Sequence, residues 1–455
     1  MNITQKEYQL LREEINQLKA DNRRLIAKVE ELTRENIELR DKLGLNSSNS
    51  SLPSSRDLYK IRKSTKQRSG RKPGGQKGHI GTTRDRMAPD EIIRIKLSEQ
   101  FCTCGHAISR DKDSRIIQTV EIPPIKPHVT EYQLDRGRCS HCRKYYSAHL
   151  PDGVTPDLLG QRLKTIIASL TSMFKGSKRE VQAVLQNVFG VKIALGTVSN
   201  TERRVSEYCK DAYDQLVMEI KSSEQIHADE TGHKNKGMRY WAWLFTHSKA
   251  TVLMLKPSRG MKVLQQILPE FKGRIISDRY AAYNYFPQKN RQICWAHLAR
   301  DFERIANSSH LTVSVYGKYL RSGAQELFAG HRALRDNMIT KQLFFRRLSK
   351  LRRRQMYYLK QLLKIENIPR VHNSVQLMIQ AESMMWTFLQ DPLRIPLMNN
   401  AAEQQIRPFV IYRKKSFFTW SERGDRFLER LISLHLTWKQ NNKNPFEQLY
   451  NLIAA

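Results

Sequence analysis

The sequence predicts a multidomain α+β protein. A coiled coil, a small zinc-binding β module and a helix-turn-helix precede a mixed core that a helical insertion interrupts. Three observations carry this reading. The chain has 455 residues, enough for roughly three domains, and 40% of them are hydrophobic, enough for real cores. Residues 1–43 hold an unbroken heptad pattern. From Gln225 the periodicity turns from helical to strand-like, with acids closing apolar runs. Charge points to a partner: 78 Lys and Arg stand against 44 Asp and Glu, a net charge of +34. That excess repels itself in a compact state, and a polyanion relieves it, so nucleic acid is expected. The plainer alternative is a merely basic accessory protein. No run approaches 18 apolar residues, so no membrane span is expected. The polar start MNITQKEYQLLREE lacks a signal-peptide pattern, and six cysteines are too few for a disulfide framework.

The coiled coil, residues 1–43, runs through Leu11, Ile15, Leu18, Asn22, Leu25, Val29, Leu32, Asn36, Leu39 and Leu43 at alternating steps of four and three. Leu at every d position with Ile and Val among the a positions favours a parallel two-stranded coil, and Asn22 and Asn36 at a would pair with their twins and fix register. A homodimer is therefore expected through this segment. With nine basic and nine acidic residues it is not the polyanion-binding face.

Residues 44–88 form a basic flexible linker, with eleven basic and two acidic residues and no hydrophobic periodicity. Its Arg71 and Lys72 are expected to lie along DNA phosphates or in a minor groove. Residues 89–150 are the zinc module. Cys102 and Cys104 form one pair and Cys139 and Cys142 a second, with strand-like stretches at 117–122 and 128–132 between them. Four thiolates satisfy tetrahedral structural zinc and tie a segment too small to fold alone. The first pair is a tight C-x-C, so His106 or His141 could replace a sulfur.

Residues 155–222 read as helical. Ser177-Lys-Arg-Glu180 is a capping box, Phe189-Gly190-Val191 a break, and Gly196-Thr197 a new start with Val198, Val205 and Tyr208 inward. Helix, glycine turn and helix make a helix-turn-helix pattern. Thr197, Ser199, Asn200, Arg203 and Arg204 would sit at or near the exposed start of its second helix and meet DNA.

Residues 223–296 begin the core. Ile226-His-Ala-Asp229 is a strand expected to end in a carboxylate and a turn. Strands at 239–246 and 251–255, a helix at 261–268 and a strand at 273–277 follow, the last closing on Asp278. Three neighbouring strands, a helix and a fourth strand match a ribonuclease H-like core, in which acids ending the first and fourth strands come side by side. A third acid must come from a later helix. Asn399-Asn-Ala-Ala-Glu403 offers Glu403, mid-helix before a break at Pro408, but the residues alone do not favour it over Glu382 or Glu422. Three carboxylates suit two divalent metals, Asp229 bridging both and Asp278 and Glu403 holding one each. Oxygen ligands favour Mg²⁺, with Mn²⁺ as a substitute. Between Asp278 and Glu403 lie 124 residues. Residues 297–395 are expected to be a helical insertion. Its stretch 341–370 holds ten basic and one acidic residue, including Arg352, Arg353 and Arg354, and is expected to face DNA. Residues 396–425 hold the helix of the third acid, and 426–455 two closing helices.

Several motifs together resemble a known family over nearly the whole chain. They are Leu45-Asn-Ser-Ser-Asn-Ser-Ser, Arg71-Lys-Pro-Gly-Gly-Gln, the cysteine module, Phe189-Gly-Val, Gly196-Thr-Val-Ser-Asn200, Asp229-Glu-Thr-Gly, Ser277-Asp278 with Tyr280, Cys294-Trp-Ala-His297, Asn400-Ala-Ala-Glu403, Arg407-Pro and Ser421-Glu-Arg-Gly424. The sequence resembles transposases of the insertion sequence 66 family. The resemblance implies an Asp-Asp-Glu enzyme whose catalytic acids are Asp229, Asp278 and Glu403, with Arg407 at the DNA. It also implies Mg²⁺-dependent cleavage of double-stranded DNA at terminal inverted repeats and strand transfer into target DNA. Small accessory proteins of the same element and a bacterial, nucleoid-associated cytoplasmic location are implied too. The family more often has C-x-x-C where Cys102 and Cys104 stand, which leaves the fourth zinc ligand open. Cys294 and His297 are read as packing or DNA contacts rather than a second metal site. A catalytically inactive DNA-binding regulator and a structure-selective nuclease are the rival readings.

Overall fold

The structure, a computed structural model, describes residues 5–45, 85–108, 116–152, 154, 157–366 and 368–455. Most of the linker, including Arg71 and Lys72, lies outside the described residues. Helix α1 (Gln5–Leu43) is one continuous rod. Among the described residues its heptad stripe lies open: Leu18 is 63% exposed and Leu25 64%. Near its C-terminal end it meets a later part of the chain, where Asp41 accepts from Ser308 Oγ and Ser309 N–H, each at 2.9 Å.

In the cysteine module one short hairpin is laddered, β1 (Arg136–Arg138) against β2 (Tyr145–Ser147). The strands expected at 117–122 and 128–132 are instead extended chain with no ladder partner among the described residues. Their side chains are mostly exposed, Ile117 by 79% and Val129 by 82%, so no core forms here to hold strands together.

Helices α2 (Gln161–Thr171), α3 (Lys178–Phe189) and α4 (Leu195–Tyr208) pack around Ile167, Val181, Leu185 and Val198. Ser177 and Glu180 close the capping box on α3, and Gly190 ends it at φ +69°, a conformation glycine takes without steric cost. Val198 and Val205 point inward as expected, but Tyr208 is 45% exposed. It closes the last turn of α4, where the chain already bends into α5 (Lys210–Ser222).

The central sheet has the order β5 (Thr251–Lys256), β4 (Met238–Thr246), β3 (Gln225–Asn235), β6 (Arg274–Ser277), β7 (Arg291–Ile293). The first three strands in sequence are antiparallel, and β6 and β7 then run parallel to β3, after the crossover helix α6 (Met261–Ile267). Strand β3 does not end at Asp229. It continues to Asn235 and turns at Lys236-Gly237, both at positive φ, because its β4 partner runs the full length while β6 stops beside it.

Helices α7 (Trp295–Ala306), α8 (Leu311–Arg335), α9 (Lys341–Leu362), α10 (Pro369–Gln380) and α11 (Glu382–Met385) build a second hydrophobic core around Trp295, Phe302, Leu320, Phe344 and Trp386. The chain returns through α12 (Asn400–Ser416) and closes with α13 (Glu422–Gln440) and α14 (Pro445–Ala454) on the sheet's own core. Pro408 does not break α12. Ala402, Ile406 and Phe409 are buried on both sides of it, and that packing outweighs one lost helical hydrogen bond. Glu403 accordingly lies in the first turn of a long helix, not in the middle of a short one.

Candidate active site

The site forms where β6 ends beside β3. The parallel register pairs His227 with Ile276, so two residues further on Asp229 on β3 lies level with Asp278, just past the end of β6. Asp229 Oδ1 accepts the Glu230 N–H at 2.9 Å, and Asp278 Oδ1 accepts the Tyr280 N–H at 2.8 Å. Each carboxylate is thus aimed by the backbone one or two residues ahead.

The third acid is delivered by Asn399, which is 1% exposed. Its Nδ2 donates to Ala228 O at 2.7 Å, and its N–H donates to Cys294 Sγ at 3.1 Å. Its Oδ1 meets His227 Nδ1 at 3.0 Å. The first turn of α12 is thereby fixed to β3 next to Asp229. Glu382 is held by Arg352, and the Glu422 side chain is 83% exposed. Of the three candidate glutamates, Glu403 is the one whose charge reaches Asp229.

Electrostatics mark the cluster. Burial, together with the charges of Glu230, Asp278 and Glu403, pushes the Asp229 carboxyl up to about 8. Glu230 is answered on its own side. Its Oε1 receives Arg259 Nε at 2.9 Å and its Oε2 the Tyr283 hydroxyl at 2.6 Å. Buried Arg291 donates to Asn284 Oδ1 at 2.7 Å and to the Asp278 carbonyl at 3.3 Å, bracing the loop that carries Asp278. Glu403 Oε1 is different: it is buried and has no hydrogen-bond partner, although His297 Nδ1 and Arg300 lie 3.7 Å away.

Cys294, His297 and Glu403 are the group of potential metal-ligand residues that comes together among the described residues, their ligand atoms lying within 4.8 Å of one another. Burial keeps the Cys294 thiol protonated by raising its pKa, and its sulfur already accepts from Asn399. His297 Nε2 lies 3.1 Å from Arg300 NH2, which can only donate. That leaves the ring proton of neutral His297 on Nδ1, facing Glu403. The pair is better matched to steering the Glu403 carboxylate than to adding soft ligands. The CWAH motif signals these residues in sequence, but their convergence on Glu403 is a tertiary fact. Glu230, Asn399 and Arg291 carry no sequence signal beyond lying near the motifs.

The cysteine pairs do not gather into one cluster among the described residues. Each sits on its own tight turn. Cys102 N–H donates to His106 O at 2.8 Å, and Cys139 Sγ accepts the Cys142 N–H at 3.5 Å. Backbone donors from Cys104 and Cys142 lower the Cys102 and Cys139 thiols.

Among the expected DNA contacts, Asn200 and Arg203 are exposed on α4. Thr197 and Ser199 are half-buried, Ser199 Oγ accepts Lys178 Nζ at 2.8 Å, and Arg204 pairs with Asp157. In the arginine triplet Arg352 belongs to Glu382 and Arg354 to Glu326, while Arg353 is exposed. Arg407 is exposed one helical turn beyond Glu403. Among the described residues no helix is long and apolar enough to cross a membrane.

Comparison with known proteins follows this geometry. Residues 173–426, which carry all three acids, match the family described as "Transposase IS66 family". Residues 1–85 match a "Family of unknown function (DUF6444)". Two proteins of Sinorhizobium fredii are similar at 24% identity. One is the uncharacterized protein y4qI, over 53% of this chain and 49% of its own length. The other is the uncharacterized protein y4jD, over 60% and 58%. The chain thus spans about half the length of these relatives.

Proposed function

The chain belongs to the IS66 family of transposases, and from that premise we propose that it cuts double-stranded DNA at the terminal inverted repeats of a mobile element and joins the ends to target DNA. The single observation that carries the chemistry is that Asp278 and Glu403 both act on buried Asp229, whose carboxyl burial and these neighbouring charges raise. The strand order, three antiparallel strands followed by two parallel ones, supports a ribonuclease H-like core.

An all-oxygen donor set with a partnerless Glu403 Oε1 fits hard divalent cations. Asp229, Asp278 and Glu403 would hold two Mg²⁺ ions, Asp229 serving both, and Mn²⁺ would substitute. Such ions would supply an activated attacking oxygen and a stabilised leaving oxygen. The chain's own residues prepare the site. Burial and the neighbouring acids raise the Asp229 carboxyl to about 8, so it would carry a proton near neutral pH until a cation offset that charge. Asn399 fixes the approach of Glu403, His297 steers its carboxylate, and Arg291 braces the loop of Asp278. Arg407 and the exposed Asn200 and Arg203 are placed to meet DNA, with Thr197, Ser199 and Arg204 beside them on a helix-turn-helix. Arg71, Lys72 and Arg353 add phosphate contacts, and Arg352 and Arg354 shape the surface between them. Zinc would be structural, with Cys102, Cys104, Cys139 and Cys142 as its ligands; the backbone-donor turns suit thiolates in each pair, but the two pairs stand apart and would have to come together to hold one ion. The exposed stripe of α1 supports a parallel homodimer. Small accessory proteins of the same element complete the proposed assembly.

The test is cleavage and strand joining on element-end DNA with Asp229→Asn, Asp278→Asn and Glu403→Gln. Each variant is expected to lose activity by several orders of magnitude and to lose the thermal stabilisation that Mg²⁺ gives the wild type, while DNA binding survives. Full activity in Glu403→Gln would remove the third acid from the site. DNA binding without cleavage by the wild type would favour an inactive regulator, and cleavage without joining a nuclease.

A further inference from the structure

Two of the most exposed aromatic side chains lie close together, in the turn between α12 and α13. Phe417 is 79% exposed and Trp420 72%. Exposing one large apolar side chain is ordinary, but two on a strained turn need a reason. Phe417 and Phe418 have φ of +53° and +74°, where a side chain other than glycine's costs energy. The surroundings enforce that backbone. Thr419, between the two aromatics, donates its N–H to Lys234 O at 3.3 Å and accepts the Lys236 N–H at 3.0 Å. Its hydroxyl donates to Asp425 Oδ1 at 2.6 Å and meets His233 Nε2 at 2.9 Å. Phe418 packs against the His233 ring at 5.6 Å. The turn is therefore bolted to the β3–β4 hairpin, and Phe417 and Trp420 project from a rigid base.

The charge around this base is mostly positive. Lys234, Lys236, Lys414, Lys415, Arg423 and Arg426 are exposed; Glu422 lies 3.7 Å from Arg426, the Glu180 carboxylate acts on Lys415, and Asp425 is buried in the Thr419 network. An aromatic pair inside a cationic collar matches a base step flanked by phosphates. Position narrows the occupant further. Phe417 follows Glu403 by 14 residues of α12, roughly 21 Å at 1.5 Å per residue. DNA advances about 3.4 Å per base pair, so a duplex lying along α12 would meet the turn about six base pairs from Glu403.

We infer that Phe417 and Trp420 form a wedge that enters an unstacked base step of the duplex held at the acids, about six base pairs from the cleaved phosphate, while the basic collar grips the neighbouring phosphates. This rests on the transposase reading above.

The test uses the full chain and element-end duplexes, each with one mismatch at a successive position, with binding measured in EDTA. A mismatch lowers the cost of unstacking, so wild-type affinity should rise about tenfold when the mismatch lies near the sixth pair on one side of the cut, and little elsewhere. Phe417→Ala and Trp420→Ala should bind the matched duplex about tenfold more weakly. They should lose the mismatch preference and keep the wild-type slope of affinity against salt, because stacking releases no counterions. Phe417→Gly suits the positive φ, so its melting temperature should match or exceed the wild type's while it shows the same binding defect. A flat mismatch profile in the wild type, or an unchanged profile in the alanine variants, overturns the wedge. So does loss of self-association in those variants with DNA binding intact, which would make the pair a protein contact. If the wild type binds matched ends but shows none of this, the wedge fails and the transposase reading stands. If it neither binds nor cleaves element ends, that reading falls and takes the wedge with it.

Discussion

Glu429 shows how a residue far from the acids sets the pH response of the fold. It lies on α13 with its Oε1 accepting the Leu255 N–H at 2.6 Å, and burial pushes its carboxyl up from 4.5 to about 7. A carboxyl whose folded pKa is raised contributes stability that is complete below about 4.5 and is lost as pH rises through about 7. Glu429→Gln keeps the acceptor and removes the charge. It should therefore match the wild type near pH 4.5 and exceed it by ~1–3 kcal/mol above pH 7, since a tenfold change in proton affinity is worth about 1.4 kcal/mol. Melting curves at the two pH values check this, and a gap independent of pH would show that the carboxyl stays ionised throughout. Asp229 obeys the same sign, but there the charges of Glu230, Asp278 and Glu403 add to burial in raising the pKa. The sequence offers both carboxyls as equals. Their difference lies in what the folded chain places next to them.

At the scale of elements, α1 and α12 make opposite points. The heptads of α1 are legible because a coiled coil repeats its contacts every seven residues and needs no information from elsewhere. Its stripe is left bare, Leu32 52% exposed and Leu39 57%, the surface that a second helix of the same kind would cover in the proposed dimer. Leu18→Glu with Leu25→Glu in the full chain should convert a dimer to a monomer in sedimentation, with the rest of the fold unchanged by circular dichroism. A wild type that sediments as a monomer at high micromolar concentration would exclude pairing through α1. Helix α12 reads poorly from sequence. Pro408 signals a stop, yet the helix runs to Ser416 because buried Ile406 and Phe409 flank the proline. In the cysteine module the alternation at 117–122 suggested strands. Alternation specifies which faces would differ but does not supply the neighbouring strand, and none pairs there among the described residues.

At the scale of the whole molecule, a charge of +34 should make the proposed DNA affinity steeply dependent on salt. Arg71→Gln with Lys72→Gln should lower the slope of log affinity against log salt by about two, at about 0.9 per phosphate contact. Asn200→Ala should leave the slope nearly unchanged and weaken the preference for element ends over random DNA. Equal effects of the two changes on slope and preference would refute this division between phosphate grip and base reading. The sequence by itself determined what depends on neighbours in the chain: the heptads of α1, the capping box of α3, the order of strands around Asp229 and Asp278, and the motifs that mark the family. Only the tertiary structure decided which glutamate approaches Asp229, and which arginines of the 352–354 triplet are already paired. The reason is distance along the chain. The 124 residues between Asp278 and Glu403 carry no local rule for how their ends meet. In the fold they meet because the insertion builds its own core and closes on itself: Trp295 N–H donates to Leu397 O at 2.9 Å and Asn399 N–H to Cys294 Sγ at 3.1 Å. Those contacts exist only once both cores are packed.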